Sequence, residues 1–284
     1  MANPDMYSLI HSRYNSFTNT EKKVADYILA NLADVIYMSI TDLADACNVG
    51  ESSVFRFCKS MDFKGYQEFK IVLAHSISVD NETPQLSNSV TLDDSLEELA
   101  SKVLNSNVQA LTETFNLLNQ GTLEEATTCL VEANRIQFFG VGSSAITAME
   151  AKNKFMRISN KTDFTLDSHL QIMSASLMGP DDVAIVISYS GSTKDMIEIA
   201  KVVKERQAKL ILITRFSKSP LTSYSDYTLL CGANEGPLQG GSLTAKLAQL
   251  YLLDLLYFNY FRKTNEQSTA NKEVTAKAVI EKML

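Results

Sequence analysis

From Arg135 onward the chain alternates short, continuous apolar runs with stretches of helical periodicity, and few folds accept that alternation. Ile136-Gln137-Phe138-Phe139, Val183-Ala184-Ile185-Val186-Ile187 and Leu210-Ile211-Leu212-Ile213 are four to five residues long and show little polar alternation. Runs of this kind are strands covered on both faces. Tyr227-Thr228-Leu229-Leu230 and the weaker Phe164-Thr165-Leu166 add two more, with helices expected through Met156 and from Asp195 to Arg206. Strands that alternate with helices in this way build a parallel sheet between two helical layers. The expectation for this part of the chain is an α/β, three-layer, doubly wound parallel sheet.

Two Ser/Gly turns follow strands in this pattern and open helices. They are Gly140-Val141-Gly142-Ser143-Ser144-Ala145 and Ser188-Tyr189-Ser190-Gly191-Ser192-Thr193-Lys194. The carboxyl ends of parallel strands are where open α/β sheets bind ligands. Backbone N–H groups at a helix start, several hydroxyls and close-approaching glycines together suit a phosphate. Either turn alone is what many helix caps look like; two on neighbouring strands are far more specific.

Before about Ser76 the pattern is purely helical. Thr18-Asn19-Thr20-Glu21 supplies caps, and Val24, Tyr27, Ile28 and Leu32 form an apolar stripe. The informative segment is Ile40 to Lys59. A helix from Thr41 to Ala46 leads to a turn at Cys47–Gly50, and a second helix begins at Glu51. Val54, Phe57 and Cys58 face inward on it, which leaves Ser52, Ser53, Arg56 and Lys59 outward or near its start. Small polar residues followed by a basic fork are what a helix needs to read a DNA groove.

Charge speaks for the blander alternative, a plain helical bundle. Before the linker, seven basic residues (Arg13, Lys22, Lys23, Arg56, Lys59, Lys64, Lys70) stand against nine acidic ones. Four of the seven cluster from Arg56 to Lys70, where a groove-facing surface would lie. The whole chain carries 26 Lys+Arg against 33 Asp+Glu, a net charge of −7, which argues against nonspecific coating of nucleic acid.

Ser53-Val54-Phe55-Arg56-Phe57-Cys58-Lys59 and the following Phe63-Lys64-Gly65-Tyr66-Gln67-Glu68-Phe69-Lys70 resemble the RpiR/MurR family of bacterial regulators. One departure is Gly50, where such motifs usually carry a serine N-cap; glycine costs a few tenths of a kcal/mol there. The paired turns resemble the SIS (sugar isomerase) fold, which that family carries after its helix-turn-helix, over roughly Thr127 to Phe261. The resemblance implies that Ser143 and Ser144, beside Gly142, form the first turn of a phosphosugar site. It implies that Ser188, Ser190 and Thr193 hold the phosphate, with Tyr189, Gly191 and Ser192 contributing mainly backbone.

The resulting expectation is a helix-turn-helix domain at 1–77, a linker at 78–91 and a phosphosugar domain at 92–284 opened by a long helix from Leu92 to Leu118. The linker reading rests on Ser78-Val79-Asp80-Asn81-Glu82-Thr83-Pro84-Gln85. The stripe Leu92, Leu96, Leu99, Val103, Leu104, Val108, Leu111, Phe115 and Leu118 usually covers a domain core; a dimer seam is the sharper reading. Expected partners are a double-stranded DNA operator, a phosphorylated sugar effector and further copies of the chain as a homodimer or homotetramer.

No membrane is expected: Leu243–Phe261 is apolar but interrupted by Lys246, Gln249, Asp254 and Asn259, and Met1–Asp5 lacks the start of a signal peptide. Cys47, Cys58, Cys129 and Cys231 are scattered and read as free thiols of a reducing cytosol, with no metal site and no cofactor implied.

Two enzyme readings compete. A sugar-phosphate isomerase needs a base, and the candidates Glu235 and His169 have no supporting motif; Glu235 reads as a solvated loop carboxylate ahead of a contact to sugar hydroxyls, and His169 as a loop residue with a capping or surface role at least as well supported as ligand contact. A dinucleotide enzyme finds Gly140-x-Gly142-x-x-Ala145 with Asp167 about 20 residues on, but leaves Ser188–Thr193 without a role.

Overall fold

The structure, a computed structural model, describes residues 6–79, 90–233, 235–238 and 243–280. Residues 80–89, most of the expected linker, and Met1–Asp5 lie outside the described residues. Two compact units are drawn from 1–108 with 234–243 and from 109–233 with 244–284.

The first unit is helical: α1 Met6–Arg13, α2 Asn19–Ala30, α3 Leu32–Val35, α4 Ile40–Ala46, α5 Glu51–Ser60 and α6 Tyr66–Val79, followed by α7 Leu96–Leu117, which continues into the second unit. Helix α2 starts where its cap requires: the Thr18 side chain accepts from the Glu21 amide and the Glu21 carboxylate accepts from Thr18 N–H at 2.8 Å, a reciprocal capping box. A second box, Ser39 with Asp42, starts α4. Phe57 centres the core, with ring centroids 5.2 Å from Phe17 and 5.8 Å from Phe69.

The second unit adds α8 Gln120–Glu132, β1 Arg135–Phe139, α9 Ser143–Phe155, β2 Thr162–Phe164, α10 Ser168–Ser176, β3 Asp182–Ile187, α11 Lys194–Glu205, β4 Lys209–Thr214, β5 Tyr227–Leu230, α12 Thr244–Lys263 and α13 Asn265–Ile280. The strands form one all-parallel sheet in the order β2-β1-β3-β4-β5. Side chains alternate across it, as the strand period of two demands. Ile136, Phe138, Ile185, Ile187, Ile211 and Ile213 pack with α8, α9 and α12 on one face. Phe139, Ala184, Val186, Leu210 and Leu212 pack with α10 and α11 on the other. This is the expected three-layer, doubly wound arrangement.

Several elements differ from the sequence reading. Strand β2 lies at Thr162–Phe164 rather than Phe164–Leu166. Helix α7 does not carry its stripe into a core: only Ala110 and Thr114 are buried on it, while Leu96, Val103, Leu104, Val108 and Phe115 are exposed. The apolar segment Leu243–Phe261, by contrast, is a protein-buried helix as read from the sequence: it lies largely in α12, whose Ala245, Ala248, Leu252, Leu253 and Leu256 are core residues. Among the described residues no helix is long and apolar enough to cross a membrane. Cys47, Cys58, Cys129 and Cys231 form no disulfide with one another.

Phe155 ties α9 to the sheet and to α12, with ring centroids 5.8 Å from Phe138, 5.5 Å from Tyr257 and 5.8 Å from Tyr260. Phe155→Ala should cost about 3–5 kcal/mol and lower the melting midpoint by roughly 10 °C. A shift below about 2 °C in calorimetry would contradict this placement of the core.

Candidate functional site

The sheet order creates a crevice. Strand β1 pairs with β2 on one side and β3 on the other, so connections leave it in opposite directions, and the space beyond the carboxyl ends of β1 and β3 is the topological switch point. The two Ser/Gly turns leave those two strands. Phe139 is in register with Val186, so the turns emerge side by side, about 4.8 Å apart at the strand level.

The first turn is shaped by its glycines. A Cβ on Gly140 would lie 2.7 Å from the Ser144 carbonyl oxygen, so only glycine lets the turn fold back on α9. Gly142 caps α9 at φ +57°, the left-handed region that favours glycine. Gln171, fully buried on α10, grips Gly140 from both sides: its amide nitrogen donates to Gly140 O at 2.8 Å and its carbonyl accepts Gly140 N–H at 3.3 Å. No side chain caps α9, and the buried Ser143 hydroxyl has no hydrogen-bond partner.

The second turn is fastened to β4 and the loop beyond it. Tyr189 O accepts from Thr214 Oγ1 and from the Arg215 amide, while Gly191 O accepts from Leu221 N–H. Tyr189 OH reaches Ala233 O at 3.0 Å. The Ser188 and Thr193 hydroxyls stand 3.4 Å apart, Ser190 Oγ accepts the Ser192 amide at 3.3 Å, and Thr193 caps α11 without a side-chain bond. Gly191 sits at φ +62°, where a Cβ would come within 2.2 Å of Ser219 Oγ. That Ser219 hydroxyl is buried and has no partner. Two buried hydroxyls without partners and two helix starts without a side-chain cap lie at these turns, and helix starts of that kind present N–H groups suited to an anion.

Three residues weighed from sequence fall elsewhere. His169 is exposed but lies in the first turn of α10, not in a loop. Glu235 is 8% exposed rather than solvated, and accepts the Leu243 amide at 3.1 Å. Asp167, which a dinucleotide site would need for its ribose, instead caps α10 by accepting Leu170 N–H at 3.0 Å. Gln171 and Ser219 were not singled out in the sequence; an isolated Gln or Ser gives no pattern until the fold supplies its partners.

In the helical unit, α4, the Cys47–Gly50 turn and α5 form the helix-turn-helix. Asn48 takes the left-handed conformation at φ 53°, and Val49 N–H closes the turn on Ala44 O at 2.9 Å. Gly50 caps α5 without a side-chain bond, as its identity dictates. Val54, Phe57 and Cys58 are fully buried, while Ser52, Phe55, Arg56 and Lys59 are exposed.

Two expectations need correction. Ser53 is buried and accepts a hydrogen bond from the Arg56 guanidinium at 3.1 Å, so it steadies Arg56 instead of facing outward. Lys70 is not part of the basic surface: it is 6% exposed, its ammonium donates to Met38 O at 3.0 Å, and burial pushes its pKa down to about 8 despite the opposing pull of Asp42.

The carboxyl end of α5 is clamped to the rest of the unit. Arg13 donates to Ser60 O and pairs with Asp62 at 2.6 Å, and Ser60 Oγ donates to Glu21 at 2.6 Å. Burial alone would raise the Glu21 carboxyl, but hydrogen bonds from Ser60 and Thr18, with Arg56 nearby, hold it below its ordinary value.

A helix-turn-helix joined to a SIS-type α/β unit defines a class of DNA-binding regulators with a built-in small-molecule fold. A family model described as the helix-turn-helix domain of the rpiR family matches residues 5–80, and one described as the SIS domain matches 129–258. An uncharacterized HTH-type transcriptional regulator of Haemophilus influenzae is 37% identical over 97% of this chain and 96% of its own. HexR, an HTH-type transcriptional regulator of Escherichia coli, is 34% identical over 89% of this chain and 86% of its own. The structure of the Vibrio vulnificus NanR protein complexed with ManNAc-6P matches with a TM-score of 0.86 at 31% identity, covering 98% of this chain and 100% of that one. The chain belongs to the rpiR family of helix-turn-helix transcriptional regulators.

The two positive-φ glycines separate conformation from crowding. Gly142 has open space around its absent Cβ, whereas Gly191 does not. Gly142→Ala should cost about 1–2 kcal/mol from backbone strain alone, and Gly191→Ala clearly more, about 2–4 kcal/mol. Equal losses in the denaturation midpoints of the two variants would contradict this account of the second turn.

Proposed function

We propose that this regulator binds a double-stranded DNA operator through α5 and senses a phosphorylated sugar in the crevice beyond β1 and β3. The observation that carries the reading is the pairing of two uncapped Ser/Gly helix starts at the switch point, in a chain that also holds a helix-turn-helix. In this assignment residues 1–77 are the DNA-binding domain, 78–91 the linker and 92–284 the sensor domain. Arg56 and Lys59 reach the DNA with Ser52 at the helix start. Ser188, Ser190 and Thr193 hold the phosphate, Tyr189, Gly191 and Ser192 contribute mainly backbone, and Gly142, Ser143 and Ser144 complete the cradle. An amino-sugar phosphate is the first effector to try, because NanR is a relative with ManNAc-6P bound.

The sugar phosphate acts here as effector and not as substrate. Isomerisation needs a base at the carbon acid, and His169 and Glu235 are respectively exposed on α10 and buried against the Leu243 amide. A steady turnover of pentose or hexose phosphates would overturn that part. The ligand can shift DNA affinity only by binding one arrangement of the protein better than another. The exposed apolar residues Val103, Leu104, Val108 and Phe115 of α7 support a homodimer or homotetramer, which also supplies the two half-site contacts that useful affinity requires.

Two variants test the assignment. Arg56→Ala should weaken operator binding at least 100-fold in fluorescence anisotropy, with the DNA upstream of the protein's own gene as probe, and leave effector binding intact; unchanged DNA affinity refutes the placement of the recognition helix. Ser190→Ala combined with Thr193→Ala should abolish the effector response while DNA binding without effector stays at wild-type strength. A double variant that responds normally places the phosphate elsewhere.

A further inference from the structure

We propose that Phe55 reads bases: its ring contacts thymine 5-methyl groups in the major groove and sets the sequence preference of α5. The inference rests on the DNA-binding reading of that helix. Phe55 is 44% exposed, although its neighbours Val54 and Phe57 are at 0%. A lone exposed phenylalanine means little; the surroundings of this one are specific.

The ring is held in place. The Lys59 ammonium, one helical turn on, lies 5.4 Å over its centroid. On another side the ring packs against Gly65, where a Cβ would come within 3.2 Å of Cε2, so a larger residue there would push the ring from its place. An aromatic group fixed before binding loses little freedom on binding.

The ring also sits among groups suited to a polyanion. Ser52, Phe55, Arg56 and Lys59 recur at helix spacing and share one exposed face. The acidic side chains around that face are turned to partners: Glu51 accepts from Thr41 Oγ1, Asp62 pairs with Arg13, and Glu68 accepts the Lys64 amide. Of these three, Asp62 is neutralised by Arg13, and Glu51 and Glu68 are held by their hydrogen bonds. Arg56 and Lys59 flank the ring with charge, so DNA is the occupant this face complements. The apolar feature that the major groove offers is the thymine methyl group.

The test uses the full-length chain. Preferred sites are selected from random duplexes with wild type and with Phe55→Ala. Each thymine of the wild-type site is then replaced singly by uracil, which removes the methyl group and keeps the pairing. Wild type should lose about three- to fivefold in affinity at one or two positions per half-site. Phe55→Ala should be indifferent to the same replacements and select a more degenerate site. Its salt dependence should match wild type, because no phosphate contact is lost. Phe55→Leu should recover part of the methyl preference. Wild type indifferent to uracil everywhere, or Phe55→Ala selecting the wild-type site, overturns the proposal. Equal weakening of Phe55→Ala on thymine and uracil duplexes, together with a smaller particle in light scattering, also overturns it and gives the ring to a second copy of the chain. A wild type that binds no duplex at all fails the underlying DNA-binding reading, which the Arg56→Ala comparison detects separately.

Discussion

Strand β1 lies between β2 and β3, and this choice of neighbours decides where a ligand can go. Had the strands followed chain order, every turn would leave the sheet in the same sense and close over its edge. Because the order reverses at β1, the turns after β1 and β3 part and leave a gap. Everything in the candidate ligand site follows from that gap. It brings together the starts of α9 and α11, two helix ends without a side-chain cap. The close folding of Gly140 on Ser144 and of Gly191 on Ser219 keeps both turns low enough for a ligand to touch backbone.

The helical unit depends on a comparable economy of buried polar groups. Ser53 gives up an outward position to hold Arg56, and Lys70 gives up solvent to bond Met38 O beside the Tyr66 ring. Tyr66 OH donates towards the same stretch, at 3.2 Å to Val35 O and 3.3 Å to Met38 O. These bonds satisfy carbonyls between α3 and α4 that neither short helix can satisfy itself. The orientation of α5 is set from its start by Glu51, which accepts from Thr41, and from its end by Arg13 and Glu21. A recognition helix clamped at both ends presents its side chains without first having to order them.

The elements legible in the sequence are those whose own residues carry the whole reason for their shape. Strands β1, β3 and β4 are buried on both faces, so β3 and β4 are continuous apolar runs and β1 is interrupted only by the buried Gln137. The Thr18–Glu21 box and the glycine turns announce themselves because only those residues do those jobs. Strand β2 has three residues, none buried, and is positioned by its register with β1, so its own sequence misplaced it by two. Helix α13 buries only Ser268, α10 buries only Gln171 and Ala175, and α8 only Ala126, Thr127 and Leu130, so no long apolar stripe marks them. In the site, the hydroxyl-rich turns were legible as chemistry. Gln171, Ser219 and the inward turn of Ser53 were not, because each depends on a partner distant in sequence or hidden by the helix's own geometry.

The central claim is that the crevice and the recognition helix are energetically coupled. The most direct measurement closes a thermodynamic cycle: the affinity of wild-type protein for its operator with and without saturating ManNAc-6P, and the affinity for ManNAc-6P with and without saturating operator. A panel of other hexose and pentose phosphates would be run beside it. The account predicts that one sugar phosphate changes DNA affinity by roughly 5- to 150-fold, and that DNA changes the affinity for that ligand by the same factor. Sugar phosphates that bind the protein equally well in its DNA-free and DNA-bound forms would contradict it.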